Sequence, residues 1–147
     1  MARIWTLQEA NDALPMVRGL LADARRHLDG SRAAEDQLLD LRTLHGDAVM
    51  AAAHPANPEW RAWAERLEQA RSALVGALAQ FDSMGIEPKD IEQGLIDFRG
   101  RIGDHAAYLC WKEPEERIGW WHTLEGGFSG RKPVPTFTLD EETEDGT

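Results

Sequence analysis

The side chains able to do chemistry in this 147-residue chain crowd into its last third: Asp97, His105, Cys110, Glu115, His122 and Arg131. A carboxylate with an imidazole suits iron, manganese or zinc, and a thiolate shifts the preference toward zinc. The spacing is not that of a zinc finger or of a helical metal motif. The chain has no Cys-x-x-Cys, no His-Glu-x-x-His and no paired Glu-x-x-His. A metal centre must therefore be assembled in space, from Asp97 on one strand with His122 and with Cys110 or His105 on others. In a catalytic version His122 is the acid/base, Asp97 orients it or ligates the metal, and Glu115 supplies a further carboxylate. Cys110 with His122 also has the outline of a nucleophile and its base. A reactive thiol, however, needs a partly exposed, electropositive setting. Cys110 stands between Leu109 and Trp111, which is the setting of a packed residue.

A second chemistry is anion binding. Gly126-Gly127, Ser129, Gly130 and Arg131-Lys132 combine backbone N–H groups in a glycine-rich turn with an arginine fork. Arg131, Ser129 and Gly130 are thus ligand-binding candidates, with Trp121 as an aromatic wall and Arg99 and Arg101 as bases able to converge there. The segment is not a Walker loop, since the Gly-Lys-Ser/Thr ending and the following helix are missing.

The elements that must position these residues are short and β-type. Leu95 to Phe98 reads as a strand and Gly100 to Asp104 as a turn. Ala106 to Trp111 and Arg117 to His122 flank the polar loop Lys112 to Glu116 as a hairpin. Strand alternation places Cys110 with Tyr108, and His122 with Trp120 and Ile118. Whether Cys110 and His122 share a face depends on a register that sequence leaves open.

Upstream the periodicity is helical. Leu7, Ala10, Leu14, Val17, Leu21, Ala24 and Leu28 form one stripe. Thr6 with Glu9 makes a capping box, Pro15 predicts a bend, and Asp29-Gly30 predicts a stop. Ala34, Leu38, Leu41, His45, Ala48 and Ala52 mark a second helix. After a proline-containing loop, Asn57 and Pro58 start a third, along Trp60, Trp63, Leu67, Ala70, Leu74, Ala77 and Phe81. The expected fold is α+β. A three-helix antiparallel bundle (about 7–29, 31–53 and 58–84) carries a small antiparallel sheet (about 95–122) at one end. Residues 1–134 form a single globular domain, and 135–147 an acidic, disordered tail.

Composition bounds the function. With 42% hydrophobic and 29% charged residues, the chain has an ordinary soluble makeup. A net charge of −10 argues against nucleic acid, whose binding needs a basic face. No apolar run approaches the ~18 residues of a membrane span, and the start lacks the apolar region of a signal peptide. A single cysteine excludes an internal disulfide and fits the reducing cytoplasm.

The C-terminal run Gly94-Leu95-Ile96-Asp97-Phe98, Leu109-Cys110-Trp111, Glu115, Ile118, Trp121-His122 and Gly127-Phe128-Ser129-Gly130-Arg131, with Trp5-Thr6-Leu7-Gln8-Glu9-Ala10-Asn11 and Leu14-Pro15, resembles the bacterial and archaeal domain-of-unknown-function family 2203. The chain departs from the family pattern at Pro114, where glycine usually precedes the loop glutamate, and at Arg99-Gly100-Arg101, where proline usually follows the Asp-Phe pair. The family carries no established activity, so the resemblance implies a real site around Asp97, Cys110, Glu115, His122 and Arg131 without saying what it does. The expected function is a small cytoplasmic protein that binds a transition metal or a small anionic ligand there. The competing class is a helical assembly protein that self-associates through its stripes.

Overall fold

The computed structural model describes residues 3–134; the acidic segment 135–147 lies outside them. The fold is α+β, with one long helix pair and a five-stranded antiparallel sheet. Helix α1 spans Leu7–Asp12, α2 Leu14–His45 and α3 Asn57–Ser83. The strands are β1 (Ile86–Asp90), β2 (Leu95–Ile102), β3 (His105–Lys112), β4 (Trp120–His122) and β5 (Lys132–Pro133), in sheet order 1-2-3-4-5.

Three helix boundaries differ from expectation. Asp29-Gly30 does not stop the first helix: α2 runs through both residues for 32 residues. The expected second helix is therefore the continuation of the first, and the bundle has two long helices instead of three. Glycine in a helix interior costs only about 1 kcal/mol relative to alanine, which the flanking turns absorb. The break falls earlier, at Ala13. Pro15 has no N–H for the Asn11 carbonyl, and the chain turns off α1 just before it. The capping box of Thr6 and Glu9 forms as expected. Gly46, with φ of 73°, ends α2 before a short 3-10 turn over Asp47–Met50.

The chain forms two compact units, residues 22–77 and the remainder. In the helical unit Glu35 on α2 pairs with Arg71 on α3 at 3.1 Å, and Asn57 Nδ2 donates to the Val49 carbonyl. The core of the other unit joins helix and sheet. Leu7, Leu14, Val17, Leu21 and Phe81 pack against Ile86, Ile96, Phe98, Leu109 and Trp111. Trp5 enters edge-on to Phe98, and its Nε1 donates to the Met84 carbonyl.

The sheet is larger than the sequence suggests. β1 precedes the expected range and contains Pro88, which an edge strand tolerates because its outward N–H is not needed. The β2–β3 turn is only Gly103-Asp104, since Ile102 pairs with His105. Gly103 has φ of 59°, the requirement of a two-residue hairpin with glycine first. The β3–β4 hairpin exists, but its second strand begins at Trp120 instead of Arg117. Ile118 is instead drawn into the core, and its N–H donates to Asn11 Oδ1 on α1 at 2.7 Å. No helix among the described residues is long and apolar enough to cross a membrane.

Candidate metal centre

Alternation divides each strand between two faces. Ile86, Ile96, Phe98, Leu109 and Trp111 take the helix-facing side, which leaves Glu87, Asp97, Arg99, Tyr108, Cys110 and His122 on the other. The register then sets the neighbours. Asp97 is opposite Cys110, Cys110 opposite Trp120, and Tyr108 opposite His122. Cys110 and His122 therefore share a face, and Asp97 and His122 reach toward each other across the central strand.

A carboxylate oxygen, a thiol sulfur and a ring nitrogen from Asp97, Cys110 and His122 all lie within 4.8 Å of one another. All three side chains are buried. His122 Nε2 is 2.9 Å from Asp97 Oδ2, and Nδ1 is 2.7 Å from the Thr123 carbonyl. Both ring nitrogens thus face oxygen atoms. Asp97 Oδ1 is buried without a hydrogen-bond partner, a costly arrangement in a folded interior.

Burial pushes the Asp97 carboxyl up, outweighing the attraction of His122 and the contacts of Cys110 and Lys89. Burial and the adjacent Asp97 push the Cys110 thiol up to about 12. Cys110 is then protonated at neutral pH, which removes the nucleophile-and-base reading. A divalent cation reverses this situation, because a coordinating thiol is deprotonated outright. It would also give the orphaned Oδ1 a partner. The Nδ1–H donated to a backbone carbonyl is the usual device that turns Nε2 toward a metal.

The remaining predicted residues divide. Glu115 accepts from the Lys112 N–H at 2.8 Å, and both its carboxylate oxygens accept from Arg131 Nη2. It braces the β3–β4 loop, and the Trp111 indole on β3 donates to the Glu115 carbonyl. Arg131 also donates to the Cys110 carbonyl at 3.4 Å, and its guanidinium lies between the Trp120 and Phe128 rings. Ser129 and Gly130 lie in the 3-10 turn Phe128–Gly130 that leads into Arg131. Arg99 does not converge with Arg131: it pairs with Glu87 at 2.6 Å and reaches Asp82. Trp121 sits opposite Leu109 and packs against the core, so its ring is on the wrong face, and Trp120 is the tryptophan on the site's side. His105 sits exposed at the β2–β3 turn, outside the group.

Glu87, Lys89 and Tyr108 were not among the predicted site residues. The Tyr108 hydroxyl donates to Glu87 at 2.7 Å, and its ring lies 5.2 Å from that of His122. Tyr108 was detectable, because it alternates with Cys110. Glu87 was not, since its strand is disguised by Pro88.

No curated protein and no solved structure matches the chain. Residues 3–134, nearly its whole length, match the family model described as an uncharacterized conserved protein, and the chain therefore belongs to the family DUF2203.

Proposed function

We propose that this protein binds a divalent transition metal through Asp97, Cys110 and His122. The observation that carries the reading is three ligand atoms of different chemistry converging within 4.8 Å in a buried site, where Asp97 Oδ1 has no hydrogen-bond partner. The mixed thiolate, imidazole and carboxylate set favours zinc, with iron next; manganese prefers oxygen donors. Three protein ligands leave room for a fourth, the arrangement in which zinc acts on a bound molecule. Arg131, already paired with Glu115, supports the metal reading over a free anion clamp.

The test is elemental analysis of protein purified without chelator, for wild type, Cys110→Ser and His122→Ala. The expected outcome is one metal per wild-type chain and a loss in both variants. That loss should exceed the roughly 10–100-fold affinity change typical of an outer partner, with the helical circular dichroism unchanged. Uptake should also release a proton, because the coordinating thiol gives its own up. Metal-free wild type that takes up neither zinc nor iron on titration would end this reading.

A second reading, assembly through the helical unit, has one observation behind it. Leu39, Leu44 and Val75 are exposed on α2 and α3. If they are an interface, Leu44→Glu and Val75→Glu shift the molecular mass in light scattering to that of one chain. An unchanged mass removes the reading.

A further inference from the structure

Arg131 Nε, like Asp97 Oδ1, is a buried polar atom without a hydrogen-bond partner. Their residues flank the same strand position. Asp97 lies opposite Cys110 on one side, and Arg131 Nη2 holds the Cys110 carbonyl from the other. The guanidinium cannot easily turn away. It is held by two aromatic rings at 4.9 and 4.8 Å and by both oxygens of Glu115. A fixed, desolvated N–H donor at the strand position that carries Cys110 suits the second oxygen of an oxyanion held by the proposed metal.

We infer that the centre takes a small monoanionic carboxylate, one oxygen on the metal and the other on Arg131 Nε–H. The inference rests on the metal reading above.

Charge selects the class. A divalent ion held by one carboxylate, one thiolate and a neutral imidazole is neutral, and so is the Arg131–Glu115 pair. Beside Asp97, Lys89 and Arg99 are balanced by Glu87 and Asp82. A monoanion therefore brings one unbalanced charge into the site. A dianionic phosphate brings two, and burying the larger excess is costlier.

The experiment uses the full chain and cobalt(II), whose uptake is read from its thiolate absorbance. Formate, acetate and inorganic phosphate are then titrated against the visible cobalt bands. Formate and acetate should change the bands saturably and bind more tightly than phosphate. Arg131→Gln should weaken formate by at least about tenfold, the scale of one lost charge-assisted hydrogen bond, while cobalt affinity stays within about threefold. Arg131→Lys keeps the charge but not the donor edge and should weaken formate similarly, which covers the case of a misfolded Arg131→Gln. Glu115→Gln unmasks the guanidinium charge and should tighten it. Cobalt uptake without any carboxylate effect, equal formate affinity in wild type and both Arg131 variants, or a preference for phosphate overturns the inference and leaves the metal reading standing. A wild type that takes up no cobalt overturns both.

Discussion

Glu87 is a side chain whose neighbours strongly change its acidity. Burial pushes its carboxyl up, but hydrogen bonds from Lys89, Arg99 and Tyr108 outweigh this and bring it from 4.5 down to about 2. A carboxylate depressed on folding stabilises fully above its unfolded pKa, here about 4.5. That contribution is lost as pH falls through the folded value, about 2. Solvent screening reduces the effect at this partly open cluster to about 1–2 kcal/mol. Glu87→Gln should therefore lower stability at pH 7 by that amount and flatten the denaturation midpoint between pH 4.5 and 2. A variant as acid-sensitive as wild type contradicts the assignment. At this scale the sequence was informative about residue type: Asp97, Cys110 and His122, which meet in the buried group, were all named. It was uninformative about Trp121, because adjacent tryptophans on a strand differ only in the face they take, and that depends on register.

The elements show where local signals mislead. Asp29-Gly30 resembles a helix stop, yet α2 passes through it, because a stop signal acts only when nothing beyond it favours continuation. Gly30 is a site where a Cβ would meet nothing closer than Ala70 Cβ at 3.8 Å, an ordinary contact. Gly30→Ala should stabilise the protein by about 0.5–1 kcal/mol in urea denaturation, the interior-helix cost of glycine. Gly100 is the opposite case. A Cβ there would stand 2.5 Å from the Trp5 carbonyl oxygen and 2.9 Å from Leu109 Cδ1. The Trp5 N–H donates to the neighbouring Arg99 carbonyl at 2.8 Å, so the two backbones cannot separate cheaply. Gly100→Ala should cost about 1–3 kcal/mol, the range of an overpacked core. Opposite signs for the two substitutions are the expected result; a stabilising Gly100→Ala would contradict the packing described.

At the scale of the whole molecule, the proposed centre belongs to the sheet-containing unit and none of its ligands to residues 22–77. Metal stabilises the folded state by mass action, about 2.7 kcal/mol at a hundredfold excess over the dissociation constant. Added zinc should therefore slow amide hydrogen exchange most along β2, β3 and β4. The amides of residues 22–77 should change less. Protection spread evenly over both regions would place the binding elsewhere or make the two regions one cooperative body.

By itself the sequence determined the elements with strong periodicity or caps, the helical stripes and the capping box at Thr6. It also confined the reactive residue types to the last third, since these features are local and each residue reports its own preference. Only the tertiary structure decided that two predicted helices are one, that Ile86–Asp90 is a strand, and that Asp97, Cys110 and His122 meet on one buried face. That meeting rests on the register of Asp97 against Cys110 and of Tyr108 against His122. A slip of one residue would have turned every one of these side chains to the opposite face.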